Sequence, residues 1–212
     1  MKQNRISKFL YKNIRWILLV IALLIFSILA MTVLNQGEFS FDRHAFTWLR
    51  NWESPSLTTF FKMVTALASA PVLVVFCLFL LILMKKRTYF YLVGINLINT
   101  VVLNTALKFI FRRERPLNVA IIEETGYSFP SGHSMASLAF YGFLIYLLYK
   151  SSIKKKLKIA LITVLVIIIL LIGASRIYLG VHYLSDVLAG FSFTLAYLII
   201  FTKLITNYMK EK

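Results

Sequence analysis

The chain has 212 residues, of which 59% are hydrophobic and only 15% charged, and its mean hydropathy is +0.79. Such a composition excludes an ordinary water-soluble domain and makes the bilayer the solvent. The formal net charge of +16 at pH 7 invites a nucleic-acid reading, so the distribution of that charge along the chain decides between partners.

Trp16 to Leu34 runs 19 residues without a charge. At ~1.5 Å per helical residue that is roughly 28 Å, close to the thickness of the hydrocarbon core. A cleaved signal peptide competes for this segment, but the run is long for an h-region and no small-x-small cleavage site follows it. It is expected to be a retained helix. The segment from about 39 to 53 interleaves Phe39, Phe41, Phe46, Trp48, Leu49 and Trp52 with polar residues, which suits an interfacial helix lying among the headgroups. Apolar runs then follow at Leu57 to Met84, Tyr89 to Phe111, Ser134 to Tyr149, Leu157 to Ala174 and Tyr183 to Phe201. The expected fold is therefore all-α: a polytopic membrane protein of six transmembrane helices, with residues 1–212 forming one domain. Cys77 lies inside a span and is assigned to core packing.

Sixteen of the 24 basic residues flank these spans on one side: Lys2 to Arg15, Lys85 to Arg87, Lys150 to Lys158, and Lys203, Lys210 and Lys212. Seven of the eight acidic residues, Glu38, Asp42, Glu53, Glu114, Glu123, Glu124 and Asp186, fall on the other side, with Glu211 the exception. By the positive-inside rule the basic side, carrying both termini, is cytoplasmic. The high charge thus reports topology and attraction to anionic headgroups, and no nucleic-acid partner is expected.

Three polar clusters map to the opposite, extracytoplasmic face. They are "KFIFRRERP" (Lys108 to Pro116), "PSGH" (Pro130 to His133) and "SRIYLGVHYLSD" (Ser175 to Asp186). Charged groups beside membrane spans are costly unless paired or hydrated, so their convergence on one face marks a site. Lys108, Arg115 and Arg176 suit the oxygens of a phosphate, arginine as a fork and lysine as a point charge. Asn96, Thr100, Asn104 and Lys108 recur every four residues and share one helix face, and Arg115 falls about two turns further on if the helix persists. Arg112 and Arg113 are assigned to headgroup contacts or charge balance. At the entry to the fourth span, unpaired backbone N–H groups and the positive end of the helix dipole favour an anion; Gly132 opens the approach and Ser131 adds a hydroxyl. His133 can protonate a leaving oxygen. His182 and Asp186 are four apart, so on a helix the carboxylate can fix the imidazole's tautomer and free it to act as base or nucleophile. His44 is assigned a structural hydrogen bond. Tyr127, Phe129, Tyr178 and Tyr183 are assigned to the interfacial belt, and Glu123 and Glu124 to solvated loop.

Together the clusters resemble the signature of the type 2 phosphatidic acid phosphatase superfamily of membrane lipid phosphatases. Lys108, Arg115 and Pro116 match its Lys-six-Arg-Pro, Pro130 to His133 its Pro-Ser-Gly-His, and Ser175, Arg176, His182 and Asp186 its Ser-Arg-five-His-three-Asp. The resemblance implies catalysis by His182 as phosphohistidine nucleophile, Asp186 as its orienting carboxylate and His133 as proton donor. Lys108, Arg115, Arg176, Ser131 and the Gly132 amide are then the phosphate-holding groups. It implies no metal and no cofactor. The implied partners are the bilayer and a lipid phosphate: phosphatidate, phosphatidylglycerophosphate or undecaprenyl pyrophosphate. Two alternatives stay open, a phosphotransferase using the same histidine and a non-catalytic transporter or lipid-binding protein that keeps the anion pocket.

Overall fold

The computed structural model describes residues 2–35, 39–83, 87–116 and 120–208. Among these it forms eight α-helices and no strand: α1 (Lys2–Leu34), α2 (Ser40–Arg50), α3 (Pro55–Ala66), α4 (Ala70–Leu83), α5 (Arg87–Phe111), α6 (Gly132–Lys150), α7 (Lys155–Tyr178) and α8 (Leu184–Tyr208). Glu38, Met84, Lys85, Lys86, Lys210, Glu211 and Lys212, used above for charge and span limits, lie outside the described residues.

Among the described residues four helical stretches are long and apolar enough to cross a bilayer: Asn13–Leu34, Arg87–Phe111, Lys155–Tyr178 and Leu184–Asn207. The expected second span is not one straight helix. It divides into α3 and α4, which meet at 53° and together make a fifth candidate. Pro71 is the cause, because it has no N–H to give to the carbonyl of Leu67 and its ring clashes with a continuing helix; it is tolerated instead in the first turn of α4. The Leu67 carbonyl so released accepts from the Tyr141 hydroxyl at 2.8 Å. The expected fourth span corresponds to α6, which is not among these apolar helices. His133, Ser134 and Ser137 dilute its apolar character, and they are tolerated because α5, α7 and α8 pack around it.

The bundle is apolar on its outside as well as within. Ile28, Ile98, Val101, Leu170 and Leu204 are all more than half exposed, as lipid-facing residues are, while Val93, Phe140, Phe143 and Ile172 are fully buried at the centre. Cys77 packs against this core. α1 lies along α8, where the Arg15 guanidinium donates to the Ile199 carbonyl and the Thr202 hydroxyl, both at 2.6 Å. α8 also closes tightly on the start of α6: a Cβ at Gly190 would stand 3.0 Å from the Ser131 carbonyl oxygen. The Ser131 amide completes the join by donating to the Asp186 carbonyl at 3.1 Å.

One end of the bundle gathers α2, the start of α3, the end of α5, the start of α6, the end of α7 and the start of α8. Tyr178 is central there, its hydroxyl hydrogen-bonded to Thr58 at 2.9 Å and its ring 4.6 Å from that of Phe61. Tyr178 and Phe129 are 1% and 0% exposed, so they are packing residues and not the interfacial belt that the sequence suggested. Within the segment expected at the interface, residues 40–50 form α2, which turns Trp48 outward and Asp42 inward. His44 makes the structural bond expected of it, to the Ser40 carbonyl at 2.7 Å.

Candidate active site

The three clusters meet at this end, where four segments contribute. α5 stops at Phe111 because Arg112 takes the left-handed region (φ 45°), a conformation that ends helices. Arg115 therefore does not extend the helix face of Lys108, as a continuing α5 would require. It reaches the site from a loop, with Nε donating to the Gly126 carbonyl at 3.0 Å, Nη1 to the Val181 carbonyl at 2.8 Å and Nη2 to the Thr125 carbonyl at 2.9 Å. Asn96, Thr100 and Asn104 do share an inward face: the Asn96 amide donates to the Ala139 carbonyl at 2.7 Å, and the Asn104 amide to the Pro130 carbonyl at 3.1 Å. Lys108, one turn further, lies within electrostatic reach of Arg115, Glu124, Asp186 and Arg176.

α6 begins at Gly132 with Ser131 as its N-cap, the Ser131 hydroxyl accepting from the Ser134 amide at 3.4 Å and from the Ser134 hydroxyl at 2.9 Å. Gly132 faces Asn104 closely, and a Cβ there would stand 3.0 Å from its Oδ1. His133 follows in the first turn, three-quarters buried.

α7 ends by delivering Arg176, which is 1% exposed. Gly180, with a positive φ of 71°, then turns the chain so that His182 returns beneath it. The His182 Nδ1 lies 3.4 Å from Asp186 Oδ2, and its Nε2 lies 3.2 Å from Arg115 Nη1. One tautomer satisfies both contacts: the proton sits on Nδ1 and donates to the carboxylate, and the Nε2 lone pair is held toward the arginine. Burial is the largest influence on this ring and pushes its pKa down to about 4. The Asp186 carboxylate opposes that shift, while Arg176 and Arg115 add to it.

The Asp186 carboxylate is fully occupied. Oδ2 also accepts from the Ser128 hydroxyl and from the Tyr183 amide at 2.9 Å, and Oδ1 accepts from Arg113 Nη1 at 2.6 Å. Ser128 was not singled out by the sequence, and Arg113, for which headgroup contact or charge balance was expected, points inward and balances the carboxylates of Asp186 and Asp42. Arg112, by contrast, is exposed.

Glu124 is the largest departure from expectation. Glu123 is exposed, but Glu124 turns into the cation cluster. Its Oε1 pairs with Arg176 Nη2 and lies 4.0 Å from His133 Nδ1, and its Oε2 lies 3.4 Å from Arg115 Nη2. Burial by itself would raise its pKa, but the Arg176 charge and hydrogen bond, then His133 and Arg115, outweigh burial and hold the carboxyl below the ordinary range. Arg176 Nη1 is anchored on the Thr65 hydroxyl at 2.6 Å, and its buried Nε has no partner among the described residues. A carboxylate is thus seated where three cationic or proton-bearing groups converge, and one of them, Arg115, also contacts the Nε2 of the buried, oriented histidine. The only sequence signal for this was an acidic residue in a loop that joins cation-rich motifs. Among the described residues no group of three or more His, Cys, Asp or Glu side chains is placed to hold a metal ion.

Fold and cluster together define a helical membrane protein in which a cation cluster adjoins a buried histidine. The PAP2 superfamily matches residues 88–210, and the chain belongs to that superfamily. It is 42% identical over 91 residues to phosphatidylglycerophosphatase B of Bacillus subtilis (strain 168), a match covering 42% of this chain and 45% of that protein. The chain thus aligns with less than half the length of that relative. Its fold is similar to the crystal structure of a transmembrane PAP2 type phosphatidylglycerolphosphate phosphatase from Bacillus subtilis, with a TM-score of 0.78 and 28% identity over 89% of this chain and 96% of that one. Aquifex aeolicus LpxE shares the fold at a TM-score of 0.63 and 24% identity, over 77% of this chain and 96% of its own.

Proposed function

We propose that this protein is an integral-membrane lipid phosphatase working through a phosphohistidine, with phosphatidylglycerophosphate the first candidate substrate and undecaprenyl pyrophosphate and phosphatidate the others. The observation that carries this is the seat of Glu124: a carboxylate held by Arg176 and Arg115 and facing His133 marks where a substrate phosphate is held. The names of the Bacillus subtilis relatives put phosphatidylglycerophosphate first.

In this mechanism His182 Nε2 attacks phosphorus and the bond to the lipid oxygen breaks. His133, whose cationic form is favoured by the bound phosphate's charge, gives the departing oxygen its proton. Asp186 holds the Nδ1 proton and stabilises the imidazolium that develops. Water, deprotonated by His133, then cleaves the phosphohistidine to release inorganic phosphate. Arg115, Arg176 and Lys108, with Ser131 and the Gly132 amide at the α6 N-terminus, stabilise the charge on the phosphoryl oxygens, and no metal takes part. In the membrane, residues 1–212 act as one domain with six spans, the bent α3–α4 pair and α6 included. The basic ends, with both termini, face the cytoplasm, and the site opens at the extracytoplasmic face, where a headgroup can enter while its chains remain in hydrocarbon.

Purified protein in detergent with EDTA is expected to release phosphate from at least one of the three lipids, and the ranking of kcat/KM identifies the substrate. Release that requires an added divalent cation would overturn the metal-free mechanism. Release only when a second lipid hydroxyl is supplied as acceptor would instead make the enzyme a phosphotransferase.

Glu124 must leave its seat before phosphate can take it. Glu124→Gln is therefore expected to lower KM severalfold, up to about tenfold or ~1.4 kcal/mol, because the neutral amide competes less well for Arg176 and Arg115. A KM that stays the same or rises would show that the carboxylate is no competitor.

A further inference from the structure

Asp186 is supported from outside the family motifs, and the support comes from α2. On the phosphatase reading above, we propose that Arg113 and Asp42 are a positioning pair that holds the Asp186 carboxylate in register with His182, making the interfacial helix α2 part of the catalytic scaffold. Arg113 lies between two buried carboxylates, its Nη1 donating to Asp186 Oδ1 at 2.6 Å and its Nη2 to Asp42 Oδ2 at 3.1 Å. Nη1 also donates to the Ser185 hydroxyl at 2.7 Å, and the guanidinium lies 4.0 Å from the centroid of the Tyr183 ring. A fork with separate nitrogens can serve both carboxylates at once in a fixed planar geometry, which a lysine's single nitrogen reproduces only in part.

Asp42 is 6% exposed although it belongs to a short amphipathic helix at the bundle end. It accepts from the Ser185 amide at 2.7 Å and from the Ser185 hydroxyl at 2.6 Å. Ser185 is in the first turn of α8, so Asp42 caps from another helix the N-terminus that presents Asp186, a favourable place for a carboxylate beside the helix dipole. The chain Asp42–Arg113–Asp186–His182 is continuous, while the Ser128 hydroxyl and the Tyr183 amide hold only the other oxygen of Asp186. Without Arg113 nothing described here fixes Oδ1, and the carboxylate is free to rotate away from the imidazole. Arg113 is thereby committed to carboxylates and a hydroxyl, so it acts on turnover and not on phosphate binding.

The test compares phosphate release by wild type, Arg113→Ala, Arg113→Lys, Asp42→Asn, Ser185→Ala and the Asp42→Asn/Arg113→Ala double variant, each checked for folding by its melting temperature in detergent. Arg113→Ala is expected to lower kcat about 10–100-fold with KM within twofold, the range typical of groups that orient a reacting residue. Lysine and millimolar guanidinium added to the alanine variant should each restore part of that loss, and the double variant should be no slower than Arg113→Ala alone. Should Arg113→Ala fail to fold, Ser185→Ala, which keeps every charge, must still lower kcat severalfold at constant KM. The inference is overturned if kcat stays within twofold of wild type, if the change lies in KM, if neither lysine nor guanidinium recovers activity, or if the two single losses multiply in the double variant. A wild type that releases no phosphate from any lipid would instead bring down the phosphatase reading, and this inference with it.

Discussion

His182→Ala is expected to lower kcat for phosphate release by about four orders of magnitude or more, the scale on which a covalent nucleophile is missed. The loss should fall on kcat because Arg115, Arg176 and Lys108 remain to hold the substrate, so binding of the lipid phosphate, measured directly, should change little. The acid-labile phosphohistidine that trapping detects in wild type should be missing. Retention of turnover within tenfold would show that another group attacks phosphorus. The same histidine predicts the pH dependence. In the proposed mechanism its neutral form is the nucleophile, and its pKa is pushed down to about 4, chiefly by burial. The His182 limb of the kcat/KM profile should therefore lie on the acid side, with no loss from this ring until the pH falls toward about 4, while the requirement for a protonated His133 sets the opposite limb. Stability runs in the same direction. The unfolded chain takes up this proton near pH 6.5 and the folded one only near 4, so the contribution present above 6.5 is lost across that window, and the melting temperature should fall with it.

Asp186→Asn is expected to cost about 10⁴-fold in kcat, through the tautomer and not through shape. The carboxylate accepts from His182 Nδ1 at 3.4 Å, which leaves the Nε2 lone pair beside Arg115. An asparagine NH₂ in the same place donates to Nδ1 and moves the ring proton to Nε2, where it blocks attack. The same change leaves Arg113 with Asp42 as its one carboxylate partner on these contacts, so a modest fall in melting temperature should accompany the loss of rate. Near-normal kcat in Asp186→Asn would mean that the imidazole is oriented by Ser128 alone, which lies 3.3 Å from Nδ1.

Much of this site was legible before any fold was known, and for a physical reason. Lys108, His133, Arg176, His182 and Asp186 are expensive residues beside membrane spans, so their presence and spacing speak directly of chemistry. The stripe of Asn96, Thr100 and Asn104 was equally legible, because the helical repeat places residues four apart on one face. The break between α3 and α4 at Pro71 is not legible in hydropathy, which averages over a single proline and reads Leu57 to Met84 as one run. Arg113, Ser128 and Glu124 were not legible. Their decisive partners are 73, 58 and 52 residues away along the chain, and no local pattern reports such pairs.

The sequence by itself determined that the chain is helical and membrane-embedded, that its basic residues are segregated from its acidic ones along the chain, and which motifs carry ionisable residues near helix ends. Composition and short-range periodicity suffice for that, since the bilayer and the α-helix each impose a simple rule on every residue. Only the tertiary structure decided which arginine pairs with Asp186 and which with Glu124, and that Glu124 turns into the cation cluster. Those outcomes depend on where α5 ends, on the left-handed turn at Arg112 and on the close approach of α8 to α6 at Gly190, which together set which charges are buried side by side.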